Sequence, residues 1–386
     1  MLTVKENGKI VAEVPAKALT DQAPLYTREE KQPDFSSFKL RLEDIQEPKD
    51  LNDILIKLLS SPTIADKKLA YSKSDAKLFS DVVIKPGEAD AAVIKVTQKR
   101  GVAATTNCNG TYCRLNPKLG GEIAVAESAR NLVCVGAKPL GITDCLNFGN
   151  PMDPEVFWGF RKCCEGIADA CKVLDTPVVS GNVSFYNENP KGTVDPTPAI
   201  GMVGVVEDIS KAVTQSFKDE GDVIILLGQT KEEIGGSEYI KFIHNIKKGV
   251  PPSLDLEKEK ALQNTVFVAI KQGLVKSAHD CSEGGLAVAL AESCINNAGK
   301  EVGATINLEI ENIRADVFLF GETQSRVILS AKQDNVSKIQ QIAKDNNVPV
   351  SIIGKVEGKS LVINKLINVS VDDLNKAWSG AIGSYL

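Results

Sequence analysis

Two polar segments of this chain carry the residue types that hold metal ions and phosphates. The first is Thr143-Asp144-Cys145-Leu146-Asn147-Phe148-Gly149-Asn150-Pro151, and the second is Ser180-Gly181-Asn182-Val183-Ser184-Phe185-Tyr186-Asn187-Glu188. Each follows a short apolar run, so each is expected in a loop leaving a strand end, where open α/β sheets place their ligands. Carboxylate and amide oxygens suit Mg²⁺, and Mg²⁺ commonly arrives with phosphates. Gly181 lacks a Cβ and would let a backbone amide approach a phosphate closely. The competing reading is that Asp, Asn and Gly here only make turns.

Further candidates lie in the second half of the chain. Gly235-Gly236-Ser237-Glu238-Tyr239 reads as a helix start whose amides attract an anion, or as a plain cap. His279 beside Asp280 reads as an acid–base pair or as a hydrogen-bond anchor at a strand end, the anchor being the commoner use. Phe320-Gly321-Glu322-Thr323-Gln324-Ser325-Arg326 places polar groups just before a strand, as a candidate site or as an ordinary surface turn, and His244 is expected to be solvated. Cys163-Cys164 falls within a helix as packing. The P-loop, the dinucleotide-binding glycine motif, His-Glu-x-x-His and Gly-x-Ser-x-Gly are all absent.

Alternating strands and helices must position the two main segments. Residues 91–96, 102–105, 140–143, 177–180 and 200–206 read as strands, with a helix following Gly120-Gly121. Asp153-Pro154 is a cap followed by proline at the first helical position, starting a helix that runs to Leu174. Upstream, residues 9–14 read as one strand, Pro15, Pro24 and Pro33 mark a linker, and residues 50–59 have helical apolar spacing. Downstream of Asp219, residues 223–227 read as a buried strand, with helices over 256–273, 284–297 and 333–347 and strands over 276–279, 326–330 and 350–356. The fold class is therefore α/β or α+β.

Composition narrows the function. The chain has 386 residues, 43% apolar and 25% charged, with net charge −5, which suits two or three globular domains and gives no global reason to bind nucleic acid. No apolar run approaches a membrane span, and the polar start is unlike a signal peptide. Nine cysteines without a Cys-x-x-Cys, and only two histidines, point to reduced thiols in a cytoplasmic protein without structural zinc.

With these segments in view, the sequence resembles phosphoribosylformylglycinamidine synthase, of the AIR synthase-like superfamily. The resemblance rests on residues 143–151 and 180–188, on Pro196-Thr197-Pro198-Ala199-Ile200-Gly201-Met202-Val203-Gly204, on 235–239, and on 279–286. It is to the C-terminal half of the synthetase subunit in its small bacterial form. It implies a strand and linker over 1–44, an N-terminal A domain over 45–208 that forms a shared sheet or barrel seam, and a C-terminal α/β B domain over 215–386. It further implies ATP contacts at Asp144 and Gly181, a Mg²⁺ ligand at Asn182 and a substrate contact at Ser184, with no catalytic residue in this half. Asn107-Cys108-Asn109-Gly110 stands where the family's first half carries Ser-His-Asn-His, and Tyr71-Ser72-Lys73-Ser74-Asp75 departs from the family's aromatic-Asp-His.

The implied reaction joins formylglycinamide ribonucleotide, ATP and glutamine-derived ammonia. The implied partners are a glutaminase subunit, a small accessory subunit and the N-terminal half, with a homodimer through A domains when that half is missing. Two other readings are a stand-alone AIR synthase-like enzyme and a non-catalytic nucleotide-binding or assembly module.

Overall fold

The computed structural model describes residues 1–75, 81–295 and 301–385. Two large sheets organise it. The first has six strands in the order Val82–Ile84, Ala92–Lys95, Gly101–Asn107, Thr197–Val206, Lys138–Asn147 and Val178–Ser184. Neighbours are antiparallel except the last two, which are parallel because helix Pro154–Leu174 crosses between them. Asp153 caps that helix at Glu155 N, as the sequence predicts.

Helices Pro117–Cys134 and Pro154–Leu174 cover one face of this sheet, burying Val93, Ala103, Ile142, Leu146, Ile200 and Met202 among their apolar residues. The opposite face is open. Period-two alternation leaves Ile94, Val102 and Val203 about two-fifths exposed on it. The first helix starts earlier than expected, at Pro117 with Asn116 as its cap, so Gly120 and Gly121 lie inside it. They permit close approach: a Cβ at Gly121 would lie 2.5 Å from the Cys163 carbonyl oxygen of the crossing helix.

The second sheet has seven strands in the order Ser277–Asp280, Val327–Ala331, Val223–Leu227, Val350–Val356, Ala304–Ile306, Ser360–Ile363 and Ile367–Ser370. Val223–Leu227 is central and wholly buried, as a continuous apolar run requires. One core contains helices Gly285–Cys294, Ala315–Phe320 and Val371–Ser384, and another contains Leu256–Lys271 and Gln333–Asp345. Helix Leu51–Leu59, capped by Asp50 and expected with the first sheet, buries Ile54, Leu55, Leu58 and Leu59 in the first of these cores. Positions 296–297 of the expected helix 284–297 lie outside the described residues.

The expected single strand at the N-terminus is half of an exposed hairpin, Leu2–Glu6 with Lys9–Val14. Its turn is Asn7-Gly8, both at positive φ (47° and 79°), the geometry that favours this dipeptide.

Candidate functional site

The two polar segments meet along one pair of strands. Register pairs Asp144 with Gly181, Cys145 with Asn182 and Asn147 with Ser184. The four implied site residues thus lie within strands, not in the loops expected for them. The apolar runs that suggested strands ending at residues 143 and 180 continue as Lys138–Asn147 and Val178–Ser184, because polar residues are tolerated where the sheet reaches its edge.

Alternation divides the four between two faces. Cys145 is exposed on the open face and Leu146 buried on the helix-covered face. Asn182 and Ser184 therefore share the open face, while Asp144 and Gly181 share the other. Asp144 is half-buried, and a Cβ at Gly181 would overlap its carboxylate. Burial raises the Asp144 carboxyl above the ordinary range. Among the described residues, the side chains of Asp144, Asn182 and Ser184 accept or donate no hydrogen bond, so all three have oxygens available to a ligand.

The strand ends are tied to each other beyond the register. Phe148 N donates to Ser184 O (3.0 Å) and Tyr186 N to Gly149 O (2.9 Å). The Asn187 amide donates to both Phe148 O (3.0 Å) and Ser184 O (2.8 Å). Phe160 beneath them packs edge-on against Phe148 and Phe185.

The other candidate motifs converge on a buried seam between the two sheets' domains. His279 is an anchor: its Nδ1 lies 2.6 Å from Asp90 Oδ1 and its Nε2 3.0 Å from Glu292 Oε2. Burial disfavours its charge, but the two carboxylates outweigh this and hold its pKa well above the ordinary value. Asp280 instead meets the Arg130 guanidinium at 2.5 Å, and Arg130 also reaches Glu259 (2.9 Å) and Gln324 (3.1 Å). Arg130, Glu259 and Asp280 are all 1% exposed or less.

Residues 320–326 are not an ordinary surface turn. Glu322, Thr323, Gln324 and Arg326 are at most 4% exposed. Glu322 Oε1 accepts from Glu238 N (2.7 Å) and Gly284 N (2.8 Å), and its other oxygen meets the Tyr112 hydroxyl. The 235–239 segment thus donates its Glu238 N–H to the Glu322 carboxyl, not to an outside anion, and leads into a single π-helical turn, Tyr239–Ile243. His244 is also not solvated: it is half-buried, edge-on to Tyr239 at 5.0 Å, and burial lowers its pKa.

At the position where the family's first half carries histidines, Asn109 caps helix Gly110–Leu115, accepting from Thr111 N and Tyr112 N. Tyr71, in helix Lys68–Asp75, donates to Asp66 Oδ1 at 3.3 Å. Sequence reasoning missed the role of Arg130, although two charged residues, Glu127 and Arg130, within the run Ile123, Ala126, Ala129, Val133 were a usable signal. All nine cysteines are free. Among the described residues no helix is long and apolar enough to cross a membrane.

Two domains, one with an open-faced sheet and paired polar strand ends, define an AIR synthase-type architecture. The chain belongs to the AIR synthase-related family: residues 88–206 match the N-terminal domain of AIR synthase related proteins and residues 219–364 the C-terminal domain. It is 49% identical to phosphoribosylformylglycinamidine synthase subunit PurL of Caldanaerobacter subterraneus over 99% of this chain and 52% of that protein. With the same subunit of Moorella thermoacetica it shares 47%, again over 99% and 52%. The chain thus spans about half the length of the curated relatives it matches.

Among solved structures, Thermotoga maritima PurL complexed with FGAR aligns with TM-score 0.68 at 19% identity, covering 86% of this chain and 54% of that one. The PurLQS structure from the same organism aligns with TM-score 0.65 at 21% identity, covering 86% and 53%. At such identity the likeness is one of fold.

Proposed function

We propose that this chain corresponds to the C-terminal half of a PurL-type synthetase subunit and supplies part of a composite active site. The reaction is the ATP-dependent conversion of formylglycinamide ribonucleotide and glutamine-derived ammonia to formylglycinamidine ribonucleotide. The observation that carries this reading is the trio Asp144, Asn182 and Ser184: three oxygen-bearing side chains at the end of one strand pair, Asp144 on the covered face and the other two on the open face, none with a hydrogen-bond partner among the described residues.

In this reading Asp144 and Gly181 contact ATP, Asn182 is a Mg²⁺ ligand and Ser184 holds the ribonucleotide. Asn182 would give Mg²⁺ one amide oxygen, with water and phosphate completing the shell. Held by Asn182, the ion would supply charge neutralisation to the phosphates of ATP. The residues of this chain bind and orient. Asn109, occupied as a helix cap, cannot move a proton, so acid–base chemistry falls to the other half.

The open apolar face of the six-stranded sheet, with Ile94, Val102 and Val203 on it, suits packing against another A domain. The N-terminal half supplies it in a complete subunit, and a second copy of this chain in isolation. A glutaminase subunit and a small accessory subunit complete the assembly, which works in the cytoplasm on small molecules, away from nucleic acid and membranes. The domain limits in this reading are 45–208 and 215–386, with helix Leu51–Leu59 packing in a core of the second domain.

The test is Asp144→Ala and Asn182→Ala in a complete subunit. ATP-dependent turnover should fall by about tenfold or more at unchanged melting temperature, because these groups add little to core burial. Wild-type kinetics in either variant removes that residue from the site.

A further inference from the structure

Eight non-glycine residues among those described have positive φ; six are Asn or Asp, the types that tolerate it, and a seventh is the small Ser325. The eighth is Tyr186, at φ 61°. A bulky side chain in this region is strained and persists only where its surroundings over-determine it.

They do so here. Tyr186 N is held by Gly149 O, and Asn187 N and its side-chain amide both bond Phe148 O. The same amide holds Ser184 O, and Val194 N bonds Asn187 O at 3.0 Å. The backbone conformation is therefore imposed by the neighbouring segments, and asparagine or glycine would adopt it at lower cost. Nor does the ring serve the fold: it is 57% exposed, and among the described residues it has no aromatic neighbour and its hydroxyl no hydrogen-bond partner.

We propose that Tyr186 is a ligand-contacting residue of the same site, its ring packing against the ribose of the ribonucleotide that Ser184 holds. The inference rests on the reading above. A tyrosine face offers a flat apolar surface to a sugar, and its two rotatable bonds make the contact cheap in entropy. Tyr186 stands two residues beyond Ser184, on an arm whose backbone is bonded to residues 148–149, so the exposed ring lies on the same strand end as the serine.

The experiment compares Tyr186→Asn, Tyr186→Phe and Ser184→Ala in a complete subunit with its glutaminase and accessory partners, using formylglycinamide ribonucleotide, glutamine and Mg-ATP. Tyr186→Asn suits the left-handed backbone, so its melting temperature should match or exceed wild type. Its KM for the ribonucleotide should rise about tenfold with kcat within about twofold, the pattern of a lost binding contact. Tyr186→Phe keeps the ring and should behave as wild type. A wild-type KM in Tyr186→Asn, or a lowered melting temperature, overturns the inference, as does loss of assembly with KM unchanged. The two failures are separable: if Ser184→Ala also leaves KM unchanged, the placement of the ribonucleotide is wrong, and if only Tyr186→Asn does, the tyrosine alone is excluded.

Discussion

The carboxylate of Asp144 occupies the space that a Cβ at Gly181 would need. The two are register partners on adjacent parallel strands, so the glycine fixes where the carboxylate lies. Gly181→Ala should displace Asp144 and lower ATP-dependent turnover of a complete subunit by about tenfold or more, with little change in melting temperature because the edge strand is exposed. Asp144→Ala/Gly181→Ala should be no worse than Asp144→Ala alone, since contacting residues do not act additively. A kinetic double-mutant cycle checks this, and additive losses would separate the two roles.

Arg130 is the hub of the seam, fully buried among Asp280, Glu259 and Gln324. Arg130→Met removes the cation that faces the buried carboxylates of Asp280, Glu259 and, at 3.8 Å, Glu127, and should cost about 3–5 kcal/mol of stability. Adding Asp280→Asn and Glu259→Gln should recover much of that loss. Urea denaturation of the three proteins measures it.

Glu322 holds two backbone N–H groups and the Tyr112 hydroxyl, while burial and then the charge of Glu283 push its pKa up to about 8. An amide can replace an acid that favours its neutral form. Glu322→Gln should stay within about 1 kcal/mol of wild type, whereas Glu322→Ala, leaving two buried donors unpaired, should lose at least about 2 kcal/mol. Equal losses would mean that the charge, not the hydrogen-bond geometry, matters.

His279 makes stability depend on pH. Its folded pKa is held well above that of the unfolded chain, so its contribution is complete below about 6.5 and is lost as pH rises through the folded value, beyond neutrality. The stability gap between wild type and His279→Gln should therefore narrow as pH rises from neutral into the alkaline range. Thermal melts across that range test it, and a gap that widens would contradict the assignment.

Much of this was readable from local chemistry. Asp153-Pro154 and the spacing of Leu51, Ile54, Leu55, Leu58 and Leu59 placed two helices because caps and apolar periodicity act locally. Strand ends were less legible: Asp144 and Gly181–Ser184 are polar, and polarity alone does not separate an edge strand from a loop. Residues 320–326 read as surface because the partners of Glu322 and Gln324, namely Tyr112 and Arg130, lie about 200 positions away in sequence. The Asp144–Gly181 contact is likewise a product of register, which one sequence does not reveal.

The central claim is that this chain supplies Asp144, Asn182 and Ser184 to an active site that another half completes. The direct test is ADP release with formylglycinamide ribonucleotide, ammonium and Mg-ATP, for the chain alone and with a PurL N-terminal half added in trans. The account predicts no release from the chain alone, release on adding the other half, and loss of that release with Asp144→Ala. Turnover by the chain alone in the ordinary enzyme range of about 1–1000 s⁻¹ would contradict it.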